Sequence, residues 1–130
     1  MRLLIERVLV NATADTSGLY SQAIKSNGLL FISGQVGIDK NGELIGHDIA
    51  TQTNQVMKNL KATLKAAGCT FDDVIKISVF LVNLDDRPKF HEVRKKYFTE
   101  GQPASTLLVV KSLANKDYLV EVEAVAQLPT

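Results

Sequence analysis

The sequence predicts an α+β fold in which one mixed sheet carries two helices on one of its faces, and three observations predict it. Short runs rich in Val, Ile, Leu and Phe occupy much of the chain, while only two stretches repeat apolar residues at helical spacing. The elements follow one another as β-β-β-α-β-α-β-β. The run over residues 74–82 is apolar on both of its faces, which a strand wet on one side would not be. Two helices cover only one face of such a sheet. Large bare apolar patches are rare on monomers, so the other face is expected to meet further copies of the chain.

Each element has its own signal. Residues 2–8 form a short apolar strand, and residues 22–26 a second. Residues 29–33 form a third, joined to the second by Asn27-Gly28, a pair suited to a two-residue hairpin turn. Residues 34–38 continue the extended path. Asp39-Lys40-Asn41-Gly42-Glu43 then signals another hairpin before Leu44-Ile45.

A helix is expected over residues 48–67. Ile49, Val56, Leu60, Leu64 and Ala67 recur at spacings of seven, four, four and three, which makes one stripe, while Lys58, Lys61 and Lys65 face elsewhere. Asp48 suits the N-cap, and Gly68 stands where a left-handed residue ends a helix. In the strand at 74–82, Ile75, Ile77, Val79 and Leu81 share one face; Val74, Phe80 and Val82 share the other. Asp86-Arg87-Pro88 opens the second helix, with Asp86 as cap and Pro88 in the first turn. Phe90, Val93 and Tyr97 give its inner stripe, and Gly101 its stop. Two strands follow, at 104–110 and 118–127. In the last, Glu121, Glu123 and Gln127 alternate with Val120, Val122, Ala124 and Ala126.

With 130 residues and no repeat or linker, the chain reads as one domain, 1–130. Its apolar runs are too short to cross a bilayer, and the N-terminal one is too brief for a secretory signal. The lone cysteine, Cys69, agrees with a reducing compartment, so a cytoplasmic protein is expected. Fifteen basic residues against fourteen acidic ones leave no general field to attract nucleic acid or anionic lipid. The local cluster Arg94-Lys95-Lys96 reads as a solvated helix face.

Several chemistries find no support. The two histidines, His47 and His91, have no zinc-ligand spacing with the cysteine, so no metal is expected. Neither a phosphate-binding glycine loop nor a G-x-S-x-G elbow is present; Ser33-Gly34-Gln35 resembles the elbow only superficially. Cys69 follows a helix stop without a neighbouring base, and reads as a small structural residue. Taken alone, Gly34 relieves crowding or lets another group approach the backbone. Glu121 reads either as part of a solvated strand face shared with Glu123 or as a catalytic carboxylate.

Six motifs then occur in order: G-L-Y-S-Q at 18–22, F-I-S-G-Q at 31–35, A-A-G at 66–68, V-F-L-V-N-L at 79–84, P-A-S-T at 103–106 and V-E-V-E-A-V-A at 120–126. Together they resemble the Rid (reactive intermediate deaminase) family, also called the YjgF family, over nearly the whole chain. The resemblance implies a chorismate-mutase-like fold and a homotrimer with small-molecule clefts between subunits. It also implies hydrolysis, with no cofactor, of enamines and imines released by pyridoxal-phosphate enzymes, giving 2-oxo acids and ammonia. By the same resemblance Tyr20, Ser33 and Gly34 line the cleft, and Glu121 holds or activates the attacking water. His91 stands where an asparagine is usual, and Ser105, Thr106 and Leu107 complete the substrate-binding set.

Three positions depart from the family pattern. Leu19 replaces a proline, Leu107 a cysteine, and Ser105 the arginine that clamps a substrate carboxylate. A hydrogen bond to a charged group contributes about 1.5–3 kcal/mol, so loss of that clamp costs roughly ten- to a hundredfold in transition-state binding. The leading expectation is therefore a Rid-type small-molecule hydrolase or binder that has diverged from the standard deaminase. Retained 2-iminobutanoate/2-iminopropanoate deamination, with a cation from Arg87, Arg94 or Lys111, is the alternative. An RNA-directed or non-enzymatic role is the third reading, and the balanced charge weighs against it.

Overall fold

In the computed structural model, which describes residues 4–130, Asn27 and Gly28 both take left-handed φ angles, 53° and 77°. This is the backbone of a tight hairpin turn, and it pairs strand β2 (Ala23–Ser26) with β3 (Leu29–Gln35). Strand β1 (Glu6–Val8) adds to the other side of β2. The start of the predicted first strand, residues 2 and 3, lies outside the described residues, and residues 4 and 5 are not in a strand. The Asp39–Glu43 signal is a hairpin tip closed by an isolated bridge between Ile38 and Leu44.

Helix α1 (Ile49–Ala66) begins where the Asp48 carboxylate accepts the backbone N–H of Thr51 at 2.9 Å, and ends at Gly68, whose φ is +79°. The predicted stripe of Ile49, Val56, Leu60, Leu64 and Ala67 is buried against the sheet. Strand β4 (Val74–Leu81) follows, then a 3-10 turn, helix α2 (Arg87–Arg94), β5 (Ala104–Val109) and β6 (Val120–Gln127). The sheet order is β1-β2-β3-β6-β4-β5, with β4 and β5 parallel and the other neighbours antiparallel. This is the expected mixed α+β architecture. Core residues Leu30, Ile77, Val79, Leu81, Val120 and Val122 lie between sheet and helices.

The structure corrects several details. In β4, Val74 pairs with Ala126 and Lys76 with Val125, so Ile75 is the extra residue of a β-bulge. Val74 is consequently buried and Ile75 is 45% exposed, the reverse of the simple alternation. Asp86 does not cap α2 with its side chain, because the 3-10 turn Leu84–Asp86 delivers it already helical. Asn83 caps that turn instead, accepting from the Asp85 N–H at 2.9 Å. Helix α2 ends at Arg94, well before Gly101, so Tyr97 lies beyond it; its hydroxyl donates to Asn54 of α1. Arg94 leaves its basic neighbours. It stands one turn after the fully buried Phe90, and that places it on the inner side of the helix, only 8% exposed.

On the sheet face away from the helices, Phe31 and Leu108 stay about half exposed in the single chain, 46% and 51%. One buried polar side chain ties the helix layer to the segment entering β6. Gln52 donates to the carbonyls of Gly46 and Asp117 at 3.1 and 3.0 Å, and accepts from the Leu119 N–H at 2.8 Å. Replacing it, as Gln52→Leu, strands these backbone groups and is expected to cost about 1–3 kcal/mol of stability, measured by urea unfolding.

Candidate functional site

The site is built on an irregularity in β3. Ile32 pairs with Ala124 and Gln35 with Val122, so Ser33 and Gly34 together stand opposite the single residue Glu123. The bulge brings the backbone of residue 34 beneath Glu121. A Cβ at Gly34 would lie 2.7 Å from Glu121 Oε2 and 2.8 Å from its Cδ. The crowding that glycine relieves here is therefore the carboxylate itself.

Around this pair, Ser33 Oγ donates to the Ser21 carbonyl at 2.6 Å, and the Ser33 N–H to the Gln22 carbonyl at 3.1 Å. These bonds fasten the loop that carries Tyr20 to the bulge. Tyr20 is 57% exposed and lines a shallow pocket with Gly34, Gln35, Gln22 and Asn59. Burial pushes the Glu121 carboxyl above its ordinary pKa, and the neighbouring Glu123 pushes the same way.

Thr106 shares this sheet face. Its β4 partner is Ser78, whose β6 partner is Glu123, and its hydroxyl accepts from Lys76 Nζ at 2.8 Å. Ser105 and Leu107 point the other way, in register with the buried Ile77 and Val79. The Ser105 hydroxyl accepts from Arg94 Nη1 at 3.2 Å, and Leu107 packs on the core. His91 lies one turn before Arg94, its ring 5.6 Å from that of Phe90. Burial lowers its pKa, helped by the positive charges of Arg94, Arg87 and Lys95, so the imidazole is neutral at pH 7.

The eight sequence-derived residues thus fall into two groups on opposite sheet faces. Tyr20, Ser33, Gly34, Thr106 and Glu121 belong with the open face; Ser105, Leu107 and His91 belong with α2. One chain does not bring the two groups into a single cleft. Of the three cations weighed from the sequence, Arg94 is the one the fold sets beside Ser105, and its four-residue spacing from Phe90 is the signal for that inward position. Of the other cations considered for the Ser105 region, Arg87 and Lys111 are both exposed. Cys69 is buried and its thiol pKa is raised, chiefly by burial, as suits a structural residue. Among the described residues no group of three His, Cys, Asp or Glu side chains is placed to hold a metal ion, and no helix is long and apolar enough to cross a membrane.

Residues 11–128 match the family described as Endoribonuclease L-PSP. The chain belongs to this family, the YjgF or Rid family. A RutC family protein of Pyrococcus horikoshii is 49% identical over 110 residues, covering 84% of this chain and 86% of that protein. The 2-iminobutanoate/2-iminopropanoate deaminase of Homo sapiens is 39% identical over 128 residues, covering 97% and 93%. The crystal structure of the Rid family protein YyfA from Yersinia pestis superposes with a TM-score of 0.92 at 35% identity, covering 96% of this chain and all of that one. The Rid fold expected from the six motifs is thus the fold observed.

Proposed function

We propose that this Rid-family chain, acting as one domain over 1–130, hydrolyses small imines or enamines without a cofactor, at clefts completed by neighbouring copies in a homotrimer. The observation that carries the reading is the half-buried Glu121 carboxylate seated against the bulge at Gly34. A carboxylate whose pKa is raised towards the working pH is a better base for water.

In the proposed reaction Glu121 accepts a proton from water as the water oxygen adds to the C=N carbon. The π pair moves to nitrogen, which takes that proton from Glu121. The tetrahedral intermediate then collapses: Glu121 carries the hydroxyl proton to the amino nitrogen as the C=O bond forms and the C–N bond breaks, so ammonia leaves and the carboxylate is restored. The human relative's substrates, by its name, are imines with a carboxylate on the C=N carbon, which supports this reaction type. Tyr20, Ser33, Gly34 and Thr106 form one wall. Ser105, Leu107 and His91 form another on the opposite face, and the two walls meet only across a subunit boundary. The bare apolar surface around Phe31 and Leu108 supports that association. A cytosolic setting fits the single free thiol.

The test is a coupled assay in which a pyridoxal-phosphate dehydratase makes 2-aminoacrylate from serine and pyruvate is followed. The chain is expected to accelerate pyruvate release over buffer and to sediment as a trimer. A folded monomer at micromolar concentration, or no acceleration with this and carboxylate-free imines, overturns the reading. The pH profile gives a finer check. Glu121 works as a base only when ionised, so activity falls as pH drops through its raised pKa. Glu123→Gln removes the repelling charge, and the acid limb of kcat/KM is expected to move to lower pH.

A further inference from the structure

The backbone ladder between β1 and β2 ends at Val8 and Ala23, and just beyond it a side chain takes over. Gln22 Oε1 accepts the Val10 N–H at 2.7 Å, and Gln22 Nε2 donates to the Val10 carbonyl at 2.9 Å. The amide thus pairs with both backbone groups of one residue, as a neighbouring strand would. The same Nε2 reaches the Thr13 hydroxyl at 2.9 Å and the Ala14 carbonyl at 3.2 Å. Meanwhile the backbone carbonyl of Gln22 accepts the Ser33 N–H of the bulge at 3.1 Å.

Residues 10–22 are thereby closed into a loop with Gln22 as its neck. Ser17 and Gly18 turn the tip with left-handed φ angles of 57° and 72°, and Tyr20 stands on the returning limb. Packing does little to hold that limb. Leu19 is 83% exposed and Tyr20 57%, whereas the buried anchors of the loop, Val10 and Thr13, belong to the outgoing limb that Gln22 grips. One residue therefore ties the outgoing limb, the returning limb and the bulge beneath Glu121 together. The ring so tied lines the pocket at Gly34.

We infer that Gln22 is a positioning residue of the hydrolase, holding Tyr20 in place against the Glu121 bulge through the 10–22 loop. This rests on the imine-hydrolase reading and adds a residue that sets its rate. A glutamine amide has two protons to give, and three acceptors of the loop share them. Gln22 accordingly acts through Tyr20 and not on the substrate itself.

The test is a double-mutant cycle in the coupled 2-aminoacrylate assay. Gln22→Met keeps the length of the side chain and loses its bonds. It is expected to lower kcat about ten- to a hundredfold with less change in KM, the scale of an ångström-sized misplacement. In a Tyr20→Ala background the same substitution should change kcat/KM by less than about twofold, because the ring it positions is gone. The loss of stability in urea should be equal in both backgrounds. With 3-fluorotyrosine in place of tyrosine, the Tyr20 fluorine resonance should broaden or split in Gln22→Met, while those of Tyr97 and Tyr118 stay unchanged. An equal loss of kcat/KM in both backgrounds makes Gln22 a structural clasp and overturns the inference. So do wild-type Gln22 side-chain amide protons that exchange with solvent as fast as those of free glutamine, a measurement that needs no variant to fold. The two readings fail separately. A wild type without turnover removes the hydrolase, while the fluorine resonance still reports whether Gln22 holds Tyr20; turnover with equal losses removes the role of Gln22 alone.

Discussion

Glu121→Gln is expected to lower kcat/KM on 2-aminoacrylate by on the order of 10²–10⁴-fold, the usual contribution of a positioned general base. The amide fills the same space above Gly34 but takes no proton from water. The same substitution is expected to raise the melting temperature at neutral pH. Burial and Glu123 both hold the folded pKa of Glu121 above its unfolded value, so the ionised form is disfavoured in the fold. That penalty is fully present above the folded pKa and disappears as pH falls below the ordinary glutamate range, where both states are protonated. The stability gain should fade over the same window. Undiminished turnover in Glu121→Gln would place the chemistry elsewhere.

Gly34→Ala is expected to cost about 10²-fold in kcat/KM, the scale of an ångström's misplacement of a reacting group, with little change in melting temperature. A methyl group 2.7 Å from Glu121 Oε2 is closer than any real contact, so the carboxylate must swing aside. That movement is cheap for the fold, because the atom struck is the free end of a side chain. Gly37→Ala is the matched control. Its Cβ would meet the Cα and Cβ of Gln52 at 3.0 and 2.9 Å, and those atoms belong to α1. It should therefore lower thermal stability more than Gly34→Ala does. Full activity in Gly34→Ala would show that the position of Glu121 does not set the rate.

These two variants probe what the sequence could not display. Features governed by near neighbours were legible: the α1 stripe and its Asp48 cap, the Asn27-Gly28 turn, and the alternation of β6. The bulges were not. Whether Ser33 and Gly34 share one partner, or whether Ile75 is skipped, depends on β6, which lies roughly fifty to ninety residues further along the chain. The Asp86 cap failed for a nearer reason, since a 3-10 turn had already wound the backbone before it. Arg94 was grouped with Lys95 and Lys96 by adjacency, although successive helical residues point in different directions and its true companion is Phe90. The candidate site residues were named by their motifs; their division between two sheet faces appears only once the strand ladder is known.

The strand order has a consequence for how the protein is made. The sixth strand in chain order lies between β3 and β4, so the elements synthesised before it form two separate sheet fragments with nothing to join them. A nascent chain emerging from the ribosome therefore keeps both inner sheet edges bare until β6 arrives, and biogenesis should favour late, near-simultaneous closure over stepwise growth.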